Sequence, residues 1–322
     1  MKNKKKFSNL NFVKKHIFLK NLILVTGTHT SGKSMISPAI ASLQNVEMLR
    51  KIYYLDQISN LHFFKKISSN TAKFLGNHIL DLSYYEQLIG RNMNFRVEDE
   101  TSVEQSKNPN FFKKRIYINR GEKVLKKHSD LKTHMLLDAH DGIWFYNFWK
   151  NLDIKNLKII NISRNPIDIV NSWINLDFGN AEKKLLCQVP LIDNKKNIKP
   201  FYFYKHINSK KNKYNCIIDM VETCVKNEIK SYGKICKNKN IIRIDFDDFA
   251  ENTQLKMKQI ENFLGLKQTQ FTKKILKREN LPRSIDKNTR EIKINKIKKL
   301  VNNEQINRLF NLEKLYLKTK RN

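Results

Sequence analysis

A chain of 322 residues with 62 Lys and Arg against 30 Asp and Glu carries a formal net charge of +32, long enough for one large α/β domain and basic enough to attract anions at low salt. Its lysines run from Lys2 to Lys320 instead of gathering on one element with interleaved aromatics, so no specific nucleic-acid partner is expected, and the charge by itself fits a compositional bias. No apolar run reaches membrane-span length, and Lys14, Lys15, His16 and Lys20 break any apolar region behind the basic start; the expectation is no membrane span, no export and a cytoplasmic location.

Residues 1–20 read as a basic, poorly ordered lead, and residues 21–322 as a single domain. The apolar run Leu22-Ile23-Leu24-Val25, bounded by Gly27, predicts a buried strand. From Lys33 onward Met35, Ile36, Ile40 and Leu43 recur at helical spacing, and Pro38 within them predicts a kink near the first turn or a later start.

Between these two elements stands Gly27-Thr28-His29-Thr30-Ser31-Gly32-Lys33-Ser34, which satisfies G-x-x-x-x-G-K-[ST] in the strand-to-helix context that the motif requires. Glycines let the backbone curl so that successive N–H groups point inward, and the helix N-terminus adds its positive end. Phosphate or sulfate oxygens are cradled by such a loop, with Lys33 read as an exposed lysine supplying charge. A chance match in a chain of average composition is on the order of one in a hundred. The alternative is a turn that only joins strand to helix.

Residues 53–90 hold two helical patterns, at 54–64 and 71–88, and 91–110 reads as a polar loop; 53–130 is taken as an insertion. A second strand is predicted at 133–137, ending in Asp138-Ala139-His140-Asp141, with an aromatic helix at 143–149. A third, at 157–162, ends at Ser163-Arg164. A helix at 167–174, an irregular polar stretch at 178–211 and a helix at 216–232 follow, with 178–236 read as the second insertion. The close is a strand at 241–246, a helix at 253–264, a lysine-rich connector at 266–300 and a helix at 303–318. Alternating strands and helices predict an α/β, three-layer P-loop fold with a central parallel sheet flanked by helices. Cys187, Cys216, Cys224 and Cys236 show neither a C-x-x-C pair nor nearby histidines and read as reduced thiols.

The third strand leads to a second anion signal. Arg164 stands at its end and Ser172 two turns into the next helix, where a planar guanidinium fork and a short hydroxyl suit a phosphate dianion. Alternatively, Arg164 pairs with Asp168. With this spacing the chain resembles the sulfotransferase family, whose donor site joins a strand-loop-helix for the 5′-phosphosulfate to a strand-end R-x7-S for the 3′-phosphate. The resemblance covers 22–45, 131–175 and 240–266, including the late strand, acidic turn and Phe263-Leu264-Gly265. It implies a sulfotransferase-like fold and 3′-phosphoadenosine 5′-phosphosulfate (PAPS) as donor, with no metal. Two departures stand out: many members carry Lys or Arg where this chain has Thr30, and Thr where it has Lys33. The family's late Arg-Lys-Gly contact has only Arg278 and Arg283, within 277–286, as candidates.

Sulfuryl transfer needs a base for the acceptor proton and cations or N–H donors for charge on the leaving phosphate. The resemblance points to His140, at the end of the strand before the Arg164 strand, as that base, with Lys33 beside the bridging oxygen. Asp138, Asp141 and Glu100 are carboxylate alternatives, Glu100 otherwise being a solvated loop charge, and His140 otherwise a satisfied loop histidine. His29 reads as an exposed loop side chain. Asp138 could instead end a Walker-B-like strand and, with Ser34, hold Mg²⁺ in a kinase using ATP. A basic nucleic-acid-binding protein is the third reading. A small-molecule or glycan acceptor is expected; its identity and the oligomeric state are not written in these residues.

Overall fold

The computed structural model describes residues 12–14, 17–118, 121, 124, 126, 132–178, 190–192, 198–206 and 212–320. Its strands are β1 (Asn21–Gly27), β2 (Val46–Lys51), β3 (His134–His140), β4 (Asn156–Ser163), β5 (Pro190–Ile192), β6 (Ile198–Pro200) and β7 (Ile241–Asp245). Five of them form one parallel sheet in the order β2-β3-β1-β4-β7, while β5 and β6 pair as a separate antiparallel ladder.

Alternation along β1 explains why the sheet is covered on both faces. Leu22 and Leu24 join a core with Leu55 and Ile58 of α2 (Tyr53–Phe63), Leu80 and Leu88 of α3 (Ser69–Leu88), and Phe148 and Trp149 of the short helix Tyr146–Lys150. Ile23 and Val25 point the other way, joining Ile36 and Ile40 of α1 (Lys33–Ala41). Successive strand side chains point to opposite faces, so a continuous apolar run requires a helix layer on each side. The result is the three-layer α/β fold expected from the sequence.

Further helices are α4 (Pro109–Lys113), α5 (Tyr146–Lys150), α6 (Pro166–Asn175), α7 (Lys213–Ile235), α8 (Phe246–Glu251), α9 (Thr253–Leu264), α10 (Thr272–Arg278), α11 (Lys287–Lys298) and α12 (Asn303–Lys320). Trp173 of α6, Ile217 and Val221 of α7, Ile297 of α11 and Leu309 of α12 share a second, largely helical core. Asn165 caps α6 by accepting from the Ile167 N–H at 2.9 Å, and Pro166 occupies the first turn, a start signal that fixes where the strand-end arginine stops and the helix begins.

Four local expectations are corrected. Helix α1 begins at Lys33 with Pro38 inside it. Residues 46–51 form β2, which the sequence reading left out. The connector at 266–300 contains α10 and α11, and the stretch 178–211 contains the β5–β6 ladder and a 3₁₀ turn at Phe201–His206. Of the N-terminal lead, residues 1–11, 15 and 16 lie outside the described residues; Leu19 is buried, and its N–H donates to Asp81 at 2.8 Å. Cys187 also lies outside them. Among the described residues no helix is long and apolar enough to cross a membrane.

Candidate functional site

In a parallel sheet the strand ends at one edge collect the loops that bind ligands, at the point where the strand order reverses. Here β1 is flanked by β3 and β4. The phosphate loop therefore leaves β1 between His140 at the end of β3 and Arg164 just past β4, with Lys51 ending β2 beyond His140.

The loop is shaped by two glycines and held from behind. Gly27 has φ 150°, and a side chain there would sit 2.2 Å from the Ile162 carbonyl; at Gly32, with φ 99°, it would sit 2.1 Å from the Phe246 ring. Both positions need glycine for conformation and for space. Thr28 donates to Glu228 of α7 at 3.3 Å, the Trp173 indole donates to the His29 carbonyl at 3.1 Å, and Ser31 N–H closes a turn on the Thr28 carbonyl at 3.0 Å. No side chain caps α1, while the buried hydroxyls of Thr30 and Ser31 have no hydrogen-bond partner. Uncapped N–H groups beside unpartnered hydroxyls are the chemistry of an oxyanion cradle.

Lys33 is buried, which corrects the expectation of an exposed lysine. Its Nζ donates to the carbonyls of Gly27 at 3.1 Å and Thr28 at 3.4 Å and lies 3.9 Å from Asp138 Oδ1. Asp138 Oδ2 lies 3.9 Å from Lys51, and Lys51 in turn bonds Glu100. Burial raises the Asp138 carboxyl pKa, with Lys33 and Lys51 opposing. Burial also works against the Lys51 charge, but Asp138 and Glu100 outweigh it and its pKa is raised. Glu100 is thus an ion-pair partner of a site lysine instead of a solvated loop charge.

His140 ends β3, and its Nδ1 lies 2.9 Å from Asp56 Oδ2 on α2. Burial and the Lys33 charge push its pKa down to about 3. His29, read from the sequence as exposed, is half-buried and stacks on the His140 ring at 5.0 Å, with Phe178 at 4.6 Å on its surroundings. Asp141 has its own partner: it accepts from Tyr202 at 2.9 Å, and burial pushes its carboxyl up to about 7.

On the other side of the loop Arg164 donates to the Thr30 carbonyl at 2.8 Å, and its buried Nε has no hydrogen-bond partner. The pairing of Arg164 with Asp168 considered from sequence is not made: Asp168 is held by Arg290 at 2.9 Å and Lys293 at 2.6 Å, both from α11, and Arg290 also reaches Asp247 at 2.8 Å. These contacts hold the Asp168 pKa down against the effect of burial. Arg164 and Arg283 both lie over the Phe246 ring, at 4.6 Å and 5.9 Å, and neither has a carboxylate at ion-pair distance among the described residues. Ser172, two turns along α6, donates to the Asp168 carbonyl at 2.9 Å. The other late candidate, Arg278, is elsewhere, bonded to the Gln105 carbonyl and Glu279. It borders a cleft of about 740 Å³ lined also by Ser34, Lys51, Tyr53 and Glu100.

Sequence reasoning missed Lys51, Asp56, Phe246 and Arg290. Only Phe246 left a trace, as the last residue of the strand expected at 241–246; the strand ends at Asp245 and Phe246 opens α8.

A family model described as a sulfotransferase domain matches residues 20–313. No curated protein matches the chain in sequence. Among solved structures the chain is similar to the sulfotransferase domain of the Synechococcus PCC 7002 olefin synthase, at 12% identity and TM-score 0.47, covering 96% of this chain and 98% of that one. It is also similar to the sulfotransferase domain from the curacin biosynthetic pathway (11%, TM-score 0.45, 79% and 77% covered). A mouse sulfotransferase complexed with PAP matches at 12% and TM-score 0.33, with 85% and 67% covered.

Proposed function

The chain belongs to the sulfotransferase family, and from that premise we propose that it transfers a sulfuryl group from PAPS to a hydroxyl or amine acceptor in the cytoplasm. The observation that carries this reading is the joining of two anion sites: Arg164, whose guanidinium is shared between the Thr30 carbonyl of the phosphate loop and the Phe246 ring that also carries Arg283. Two guanidinium groups brought together with no carboxylate at ion-pair distance among the described residues are a poor arrangement unless a dianion joins them, and a 3′-phosphate supplies one. The loop, with its unpartnered Thr30 and Ser31 hydroxyls, would then receive the 5′-phosphosulfate.

In this reading Lys33 turns from its own loop carbonyls toward the bridging oxygen, where negative charge grows as the sulfur–oxygen bond breaks. Uncharged His140 receives the acceptor proton, and the acceptor approaches from the β2 side through the cleft bordered by Lys51 and Glu100. A small polar or glycan acceptor suits walls of this polarity. The kinase alternative would need Asp138 to hold Mg²⁺, yet that carboxylate lies between two lysine ammonium groups. Thermal unfolding tests the choice: adenosine 3′,5′-bisphosphate should raise the melting temperature without a divalent metal, because a ligand of the folded state stabilises by RT ln(1 + [L]/Kd). Stabilisation by ATP with Mg²⁺ alone would reverse the assignment.

A further inference from the structure

Asp56 lies in the first turn of α2, and His140 lies 84 residues later at the end of β3. Two bonds join them. Oδ1 of Asp56 accepts the backbone N–H of His140 at 3.1 Å, and Oδ2 lies 2.9 Å from the His140 Nδ1. Gripping both the backbone and the ring fixes the imidazole rotamer and leaves Nε2 as the nitrogen free to meet a substrate. Which nitrogen of a neutral imidazole carries the proton is set by the bond that the other nitrogen makes. An ionised Asp56 can only accept, so the proton sits on Nδ1 and Nε2 is bare. A protonated Asp56 donates from Oδ2 to Nδ1, and the ring proton must then sit on Nε2.

Resting on the sulfotransferase reading, we propose that Asp56 is a positioning residue that sets the tautomer of His140, so that His140 is a base only while the Asp56 carboxylate is ionised. In the transfer step a bond forms between acceptor oxygen and sulfur while the bond from sulfur to the bridging oxygen breaks. The electron pair of the broken bond leaves with the bisphosphate, the acceptor proton passes to Nε2, and the imidazolium so formed is held by the Asp56 carboxylate. With Asp56 protonated, Nε2 already carries a hydrogen and the acceptor proton has no destination.

The groups facing this pair decide where it switches. Burial raises the Asp56 pKa to about 7, opposed by the His140 N–H and by the charges of Lys33 and Lys51. Asp138 acts on His140 from β3, the charge of Asp56 is felt by Asp141 and Tyr202, and His29 covers the His140 ring. Burial raises the Asp56 carboxyl and lowers the His140 imidazole, so the acid limb of the reaction is the uptake of one proton by the pair, and transfer is lost as pH falls through about 7.

The test reads the tautomer directly and needs no acceptor. The full chain is labelled with ¹⁵N-histidine, His140 is assigned by comparison with His140→Gln, and two-bond proton–nitrogen correlation spectra are recorded at pH 8.5 and 5.5. Wild type should carry the proton on Nδ1 at the higher pH and on Nε2 at the lower one. Asp56→Asn keeps the shape and the acceptor for the backbone N–H but donates to Nδ1 permanently, so it should show Nε2–H at both pH values. Its transfer, followed as bisphosphate release with a panel of sugar and phenol acceptors, should fall by about 100-fold or more, with affinity for adenosine 3′,5′-bisphosphate unchanged. A tautomer that ignores pH, or an Asp56→Asn protein that matches wild type, while transfer still depends on His140, overturns the role of Asp56 alone. Full transfer by His140→Gln overturns the base reading on which it rests.

Discussion

The ammonium group of Lys33 lies 3.9 Å from the carboxylate of Asp138, and both side chains are buried. A buried pair of this kind is weak evidence of stabilisation as a pair, yet removing one partner is costly because the other charge is left in a poor solvent. Lys33→Met, which keeps most of the volume, should therefore cost about 1–3 kcal/mol in denaturant unfolding. Adding Asp138→Asn should recover most of that loss without recovering donor binding. A Lys33→Met protein of unchanged stability would contradict this view of the pair.

Stability should also depend on pH through Asp141. Burial pushes its carboxyl up to about 7, with the Tyr202 hydrogen bond opposing, whereas in the unfolded chain it titrates near about 4. The folded state thus holds a proton that the unfolded chain has released, so this contribution is complete below the unfolded value and lost as pH rises through about 7. Asp141→Asn can still accept from Tyr202, and Asn tolerates the φ of 53° at this position. It should be more stable than wild type at pH 8, on the order of 2–4 kcal/mol. The difference should shrink steadily toward pH 5 in parallel melts; a constant difference would assign it to packing.

Two late arginines make opposite predictions. Arg283 shares the Phe246 ring with Arg164, while Arg278 is tied to Gln105 and Glu279. Arg283→Ala should weaken adenosine 3′,5′-bisphosphate about tenfold, the loss of one charge-assisted hydrogen bond, and Arg278→Ala should leave it within twofold. Equal effects in calorimetric titration would remove Arg283 from the pocket.

What could be read from the sequence follows from how each element is buried. Strands β1, β3 and β4 lie inside the sheet, so they appear as apolar runs, and the phosphate loop and Arg164 were legible because each follows such a run. Edge strand β2 is different: Glu47 is buried there only because Arg115, 68 positions away, binds it at 2.7 and 2.9 Å. Its charge disguised the strand and with it Lys51. Asp56 stands among helix residues whose spacing announces a helix and nothing more; its meaning comes from His140, 84 positions on. Helix α11 is rich in lysine and holds its place through Arg290 and Lys293 on Asp168, partners that local patterning cannot supply.

Arg164 offers the most direct test of a site built for a 3′-phosphorylated nucleotide. Calorimetric titrations of wild type and Arg164→Ala are compared for adenosine 3′,5′-bisphosphate and for adenosine 5′-monophosphate. With charge-assisted hydrogen bonds contributing about 1.5–3 kcal/mol each, the variant should lose roughly tenfold to a hundredfold in affinity for the bisphosphate. The monophosphate, lacking the group that meets the guanidinium, should change little, and Ser172→Ala should act in the same sense but more weakly. Equal losses for both nucleotides would make Arg164 a brace for the phosphate loop through the Thr30 carbonyl, and the 3′-phosphate pocket would be refuted.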